Sequence, residues 1–186
     1  RGRVDGLPTE YRRLLEGDRV RIGGRDWRVI VGYGHSPEHA SLYCAELAVL
    51  ISGDMLLPRI STNVSVMSSN PDGDPIRLFL DSISRYEALP EDTLVLPSHG
   101  RPFRGIHARV AQLEAHHRER FDALVAACDV PKSACELIPT LFRRELDAHQ
   151  TMFAMGESIA HLNYLEHAGR VRRTPDDGGV FRFVAN

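Results

Sequence analysis

Short runs of apolar residues, most of them alternating with polar ones, occupy the first hundred positions and predict β-strands separated by loops. The turn signal Gly23-Gly24 separates the first two runs. Two later runs, 48–51 and 94–96, are continuously apolar, which is typical of strands buried on both faces. The predicted strands cover residues 19–22, 26–33, 41–47, 48–51 and 94–96. The pattern therefore predicts a sheet built from the first half of the chain.

Apolar residues recur at helical spacing in four further segments. Asp74 and Pro75 suit the N-cap and the first position of a helix that continues to about residue 83. A longer helix is predicted over 107–128, and two more over 134–142 and 156–168.

The helical pattern breaks near Val130-Pro131, which favours a domain boundary there. We predict two units, residues 1–128 and residues 129–186. In the second unit, two helices precede two alternating runs, 170–173 and 180–184, that flank a glycine-containing turn. Helix, helix and β-hairpin is the order of elements in a winged-helix domain.

Composition adds few constraints, because 42% hydrophobic residues and a net charge of −2 over 186 residues are ordinary for a globular protein. The balanced charge gives no electrostatic reason to expect a nucleic-acid or anionic-membrane partner. No apolar run approaches the ~20 residues that a membrane helix needs. Cys44, Cys128 and Cys135 lack metal-type spacing, so we predict reduced thiols and a cytoplasmic protein. The start at Arg1-Gly2-Arg3 favours an internal cut point.

Three loops that follow predicted strands carry a histidine or an aspartate beside a glycine. They are Gly34 to His39, Gly53-Asp54 and Ser98-His99-Gly100. If these strands are neighbours in one sheet, the loops meet at one edge, where a rigid scaffold can hold a site. Imidazole and carboxylate groups both bind zinc, although they also suit iron and manganese. One carboxylate between two histidines fits a two-metal site with a bridging ligand.

The same strings resemble the later motifs of the metallo-β-lactamase superfamily, in particular the branch of glyoxalase II and the lactamase-like endoribonucleases. The resemblance covers about residues 17–128 and implies that His39 binds one zinc ion, His99 the other, and Asp54 both. Asp54 is then also the predicted catalytic residue, since it would hold the metal-bound hydroxide. His35 is expected to shape the loop or support a ligand. The tail also resembles the winged-helix extension of some of these proteins.

One motif of this superfamily, His-x-His-x-Asp-His, is missing from the chain. The resemblance therefore implies the fold class α/β (α+β), as the C-terminal part of an αββα sandwich followed by a small winged-helix-like domain. We expect the parent protein to be the enzyme, and this chain alone to bind zinc weakly or not at all and to be inactive. A sheet face left apolar and uncovered predicts a homodimer.

Three functions remain open at this point. The leading one is metal-dependent hydrolysis of a thioester or another small acyl ester in the parent protein. The second is phosphodiester cleavage of the endoribonuclease type, against which the balanced charge argues. The third is a non-catalytic dimerisation or scaffold fragment. Arg59, Asn63 and Ser65 follow Asp54 in a polar loop and are candidates for the wall of a substrate pocket.

Overall fold

The computed structural model describes residues 9–186, so the Arg1-Gly2-Arg3 start and the first eight residues of the predicted 1–128 unit lie outside the described residues. Seven strands and four α-helices lie within these described residues. The strands are β1 (Arg19–Ile22), β2 (Arg25–Gly32), β3 (His39–Cys44), β4 (Val49–Gly53), β5 (Leu94–Pro97), β6 (Val171–Pro175) and β7 (Phe181–Ala185). The helices are α1 (Pro75–Ser84), α2 (Ile106–Ala127), α3 (Ala134–Leu141) and α4 (Ala148–His167).

The first five strands form one sheet in the order β1-β2-β3-β4-β5. Neighbours are antiparallel except β4 and β5, which are parallel because α1 lies on the crossover between them. The register pairs Gly32 with His39 and Gly53 with Pro97. The end of β2, the start of β3 and the ends of β4 and β5 therefore meet at one edge of the sheet, which is the arrangement that the sequence predicted for its three loops.

The two faces of this sheet have different neighbours. One face carries Ile30, Tyr43, Leu50 and Val95, which belong to a single buried cluster with apolar residues of all four helices. The opposite face is also apolar, and the register places Val29, Leu42, Ile51 and Leu96 in one row across it. Within residues 9–186, Ile22 and Ile51 on this second face are 46% and 38% exposed. The second face is therefore incompletely covered by the described part of the chain.

Helix α1 begins and packs as its sequence predicts. Asp74 is the N-cap, and its Oδ1 accepts a hydrogen bond of 3.0 Å from the backbone N–H of Arg77. Ile76, Phe79 and Ile83 are fully buried against the helix side of the sheet. The predicted long helix is confirmed as α2, one residue earlier at each end.

The last third of the chain contains α3, α4 and the β6-β7 hairpin, in the predicted order of elements. Helix α4 begins at Ala148, eight residues earlier than predicted. The sequence pattern did not predict this part of the helix because residues 148–155 bury few apolar side chains. Its start is marked by a capping box in which Asp147 and Gln150 bond each other's backbone N–H groups. Leu137, Leu162 and Phe183 share the buried cluster with the sheet, so the hydrophobic core is continuous across residues 128–134.

No helix between residues 9 and 186 combines the length and the apolar character that crossing a membrane requires.

Candidate metal centre

The three sequence-predicted ligands lie at the common edge of the sheet. Asp54 directly follows β4, and His99 follows β5 by two residues. His39 differs from the prediction, because it is the first residue of β3 and not part of the preceding loop. Its position across from Gly32 in the antiparallel pair nevertheless places it at the same edge.

Asp54 is the point at which the other groups converge. Its Oδ2 lies 3.5 Å from Nε2 of His35, and its Oδ1 lies 3.4 Å from Nε2 of His99. Oδ1 also accepts a hydrogen bond from the hydroxyl of Ser98. The backbone carbonyl of Asp54 accepts a 2.5 Å hydrogen bond from the hydroxyl of Thr62. The carboxylate thus lies between two imidazoles and is oriented by Ser98, whereas Thr62 holds the backbone of Asp54.

His39 is held against the backbone that precedes and includes Asp54. Its Nε2 accepts a hydrogen bond of 3.3 Å from the backbone N–H of Asp54, and a Cβ on Gly53 would overlap the same ring. Burial, with a smaller contribution from His35, lowers the pKa of His39 below its usual value. The neutral imidazole that results is the form that binds a metal. Its Nδ1 is buried and has no hydrogen-bond partner among the described residues.

His35 is oriented by a backbone group, as expected for a supporting residue. Its Nδ1 donates to the carbonyl of Asn63 at 2.9 Å, since a carbonyl oxygen can only accept. That bond turns Nε2 towards Asp54. Ser98 and Asn63 were not assigned these roles from the sequence. The position of Ser98 beside His99 could have suggested its role, but nothing local marks the role of Asn63.

The donor chemistry at this edge fits a divalent metal, because one carboxylate and neutral imidazoles are suitable ligands for zinc and its neighbours. Within residues 9–186, no group of three or more His, Cys, Asp or Glu side chains is arranged to hold an ion. The described residues therefore do not by themselves form a complete metal site.

Two grooves open beside these residues. One, of about 700 Å³, is lined by Arg59, Arg101 and the 67%-exposed side chain of His99. The other, of about 270 Å³, is lined by His35 and Ser65. Arg59 and Ser65, two of the three predicted pocket residues, thus line grooves next to the candidate ligands. The two arginines give the surface beside His99 a local positive charge.

A second histidine cluster lies away from the sheet edge, inside the contact between α2 and α4. His161 donates from Nδ1 to the carbonyl of Glu157 at 2.8 Å, so its Nε2 accepts from Nδ1 of His117 at 3.0 Å. Both rings are at most 1% exposed. Burial is the main cause that lowers the pKa of His117 to about 2 and the pKa of His161 to about 4. Both rings are therefore neutral in the folded protein at ordinary pH, which fits a packing role.

This pair predicts that the folded state loses stability in mild acid. Below the unfolded pKa of 6.5, the unfolded chain binds protons that the buried His117 and His161 cannot, so unfolding becomes more favourable as pH falls. Between pH 8 and pH 5 each ring should cost about 2 kcal/mol. Urea unfolding at both pH values measures the loss. His117→Gln should reduce the loss by about 2 kcal/mol, the share of one ring, and exposed His149→Gln should leave it unchanged; an unaltered pH dependence in His117→Gln would refute the explanation.

Comparison with known protein families identifies two matching regions. Residues 8–99 match a family described as the metallo-beta-lactamase superfamily. Residues 121–186 match the metallo-beta-lactamase-like C-terminal domain. Asp54, His39 and His99 all lie within the first match.

Individual proteins similar to this chain support the same family. A beta-lactamase domain protein from Burkholderia ambifaria of known crystal structure is 55% identical, with a TM-score of 0.94 over 97% of this chain and 54% of its own. The probable metallo-hydrolase YqjP of Bacillus subtilis is 28% identical over 77% of this chain and 46% of its own length. A hydroxyacylglutathione hydrolase of Cereibacter sphaeroides is 33% identical over 50% of this chain and 34% of its own. The chain thus spans between about a third and just over half of these relatives.

Proposed function

The chain belongs to the metallo-β-lactamase superfamily, and on that premise we propose that it forms part of a metal-dependent hydrolase that acts on a thioester or another small acyl ester. The observation that carries the proposal is the convergence of His39, Asp54 and His99 at one sheet edge, with both carboxylate oxygens of Asp54 facing imidazole nitrogens. These residues are far apart in sequence, and packing of hydrophobic residues alone does not require them to meet.

The ligands would be divided between two zinc ions, with His39 on one, His99 on the other and Asp54 on both. Bound zinc supplies Lewis acidity and activates water near neutral pH. Ser98 holds Oδ1 of Asp54 in place through its hydroxyl. The remaining ligands would come from protein outside the described residues, which agrees with the share of its relatives that the chain spans. Residues 1–186 alone are then expected to be inactive.

An acyl substrate is supported by an apolar groove that adjoins the groove beside His35. This groove, of about 770 Å³, lies between α4, the β6-β7 hairpin and residues 66–72. Val66 and Met67 line both this groove and the smaller groove beside His35. Met67, Met152 and Phe181 are each more than half exposed, which is unusual for a surface with no binding role. The similarity to a hydroxyacylglutathione hydrolase favours a thioester within this class.

The tail gives less support to the phosphodiesterase alternative. Arg170 pairs with Asp122 at 2.8 Å, and Arg173 pairs with Asp72 at 2.9 Å. These cations are thereby compensated by carboxylates and are less available for phosphate groups.

The proposal also gives a role to the incompletely covered second face of the sheet. In the parent protein we propose that this face packs against the part that carries the missing ligands. In residues 1–186 alone the same face would favour a homodimer, because exposed apolar area at Ile22 and Ile51 can be buried against a second copy. The scaffold alternative would require the parent protein to bind no metal.

Metal removal tests the proposed activity directly. The full-length parent, loaded with zinc, is expected to release thiol from small acyl thioesters. Chelation should abolish that activity, and added zinc should restore it, because His39, Asp54 and His99 act through the bound ion. Thiol release is measured with a chromogenic thiol reagent, beside a phosphodiester substrate as the control for the alternative. Activity that survives complete metal removal, or cleavage confined to the phosphodiester, would exclude the proposal.

A further inference from the structure

The groove of about 700 Å³ beside His99 differs in charge from the groove beside His35. Arg59 and Arg101 line the first groove, and no aspartate or glutamate does so in the described part of the chain. The second groove has no arginine or lysine among its described lining residues. Since the two imidazoles face different oxygens of Asp54, the candidate metal centre lies between a positively charged groove and one without cationic side chains.

The two arginines stand on loops that touch each other. Gly100 has a φ of 86°, and a Cβ there would lie 2.6 Å from Cγ of Pro58, so this approach requires glycine. Arg59 directly follows Pro58, and Arg101 directly follows Gly100. The loop after β4 and the loop after β5 are therefore in contact at the residues that precede the two arginines.

Both loops are also anchored to the body of the fold. Arg109 of α2 donates hydrogen bonds to the carbonyls of Leu57 and Ile60 at 2.6 and 2.9 Å. The backbone of Phe103 exchanges two hydrogen bonds with Val95 of β5, at 2.8 and 3.1 Å. The backbone that carries the two arginines is thus held in place, so a ligand bound there would not have to order a loop.

Neither arginine of this groove is compensated by a carboxylate. Within the described residues, neither forms an ion pair, whereas Arg170 and Arg173 of the tail pair with aspartates at 2.8 and 2.9 Å. The carboxylate of Asp54 beside His99 belongs to the candidate metal centre. An arginine guanidinium binds a carboxylate through two parallel hydrogen bonds, so two uncompensated arginines on a concave surface favour an anionic ligand.

We propose that Arg59 and Arg101 bind a carboxylate on the thiol part of the thioester substrate. The apolar acyl part would then lie on the His35 side, where Val66 and Met67 line both the small groove and the adjoining apolar one. The proposal rests on the proposed function, because it names the class of thioester that the same site takes. The two arginines determine specificity and take no part in breaking the carbon–sulfur bond.

The test compares hexanoyl thioesters that differ in one group at the end of the thiol part. Mercaptopropanoate and mercaptohexanoate carry the carboxylate at two distances from sulfur, and the matching amides have the same size without the charge. A succinyl thioester of mercaptopropanamide carries the carboxylate on the acyl part instead. The zinc-loaded full-length protein is assayed with each thioester as wild type, Arg59→Gln, Arg101→Gln and the double variant.

Arg104→Gln is the matched control for the loss of one positive charge. Arg104 is an exposed arginine of the loop between β5 and α2, but its guanidinium donates to the carbonyl of Asp92 and it is outside the lining of the groove. Damage to the fold lowers the rate on both members of a substrate pair, so it cancels in the ratio of their kcat/KM values.

Wild-type kcat/KM should favour the carboxylate over its amide about 10-fold at one or both spacer lengths. Each single variant should reduce that preference about 3-fold, and the double variant should remove it. Arg104→Gln should keep the preference, and added salt should weaken it in the wild type, because the two arginines are exposed.

Three results would overturn the proposal. The first is a wild-type preference below about 2-fold at both spacer lengths, which is no more than a surface charge provides without binding. The second is a preference that survives in the double variant. The third is a higher kcat/KM for the succinyl thioester than for either carboxylate on the thiol part, which would place the anion on the acyl side.

A second readout uses the metal-free full-length protein and needs no activity. Hexyl thioethers of the same two acids cannot be hydrolysed, and their amides are the neutral matches. Calorimetric titration should show at least about 5-fold tighter binding of a carboxylate than of its amide in the wild type and in Arg104→Gln, and no difference in the double variant.

The two readouts distinguish failure of the proposal from failure of the proposed function. Equal binding of carboxylate and amide by the wild type, or no binding of either, would refute the anion site even if the zinc-loaded protein hydrolyses thioesters. Tighter binding of the carboxylate by a protein that hydrolyses no thioester would instead reject the proposed function and retain the site.

Discussion

Asp54→Asn is expected to lower hydrolysis by the zinc-loaded full-length protein on the order of 10³-fold or more. Asparagine has the same shape, but it replaces a charged oxygen by an amide nitrogen that cannot bind a cation. Both oxygens of Asp54 face imidazole nitrogens at 3.4 and 3.5 Å, so either orientation of the amide places a poor ligand against one side of the site. The hydrogen bond from Ser98 to Oδ1 is retained in one of the two orientations.

Steady-state thioester hydrolysis and bound zinc per chain should be measured together for this variant. Asp81→Asn is the matched control, because Asp81 is an exposed carboxylate of α1 that pairs with Arg77 on the helix surface. The control should keep both its rate and its zinc. An Asp54→Asn protein that retains more than about a tenth of the wild-type rate would show that Asp54 does not bridge metals.

Gly53→Ala is expected to weaken zinc binding about 100-fold or more, although it alters no candidate ligand. The added Cβ would overlap Nε2 of His39, the ring nitrogen that faces the backbone N–H of Asp54. The backbone at Gly53 also has a φ of 54°, in the left-handed region where alanine is strained by about 1 kcal/mol. The strain lowers stability slightly, whereas the overlap displaces the imidazole.

Gly23→Ala separates these two effects. Gly23 has a φ of 59°, close to that of Gly53, but nothing lies within 4 Å of the position of its Cβ. Gly23→Ala should show the loss of stability due to backbone strain alone, and Gly53→Ala a larger loss because the His39 ring must move. Only Gly53→Ala should lose zinc in a competition with a chromophoric chelator. Equal zinc affinities in the two variants would mean that His39 does not bind the ion.

Local patterns were sufficient to predict the parts of the fold that place the ligands. The continuous apolar runs before Asp54 and His99 identified the neighbouring strands β4 and β5, although Ile51 of β4 is exposed on the second face, and Asp74-Pro75 identified the start of α1. These signals are local because burial, capping and turn formation each involve residues close in sequence. The position of His39 was less well predicted. Its strand begins two residues after Pro37 and shows little alternation of apolar and polar residues.

The connection between the tail and the site could not be predicted in the same way. Ser65 and Gly156 are separated by about half of the chain, and each is an unremarkable residue in its local sequence. Their contact depends on how α4 packs against residues 62–66, and Gly156 shows this dependence only once the approach of Ser65 is known. Burial of His117 and His161 was likewise invisible, because a histidine on a helix stripe is compatible with either surface or core.

The central claim is that His39, Asp54 and His99 hold metal together, and crystallographic location of zinc tests it most directly. Anomalous scattering at the zinc edge, from crystals of the zinc-loaded full-length protein, should show two peaks roughly 3.5–4 Å apart. Asp54 should lie between them, with His39 next to one and His99 next to the other. Zinc peaks elsewhere on the surface would contradict the account. Fully zinc-loaded protein in which none of these three side chains contacts zinc would contradict it as well.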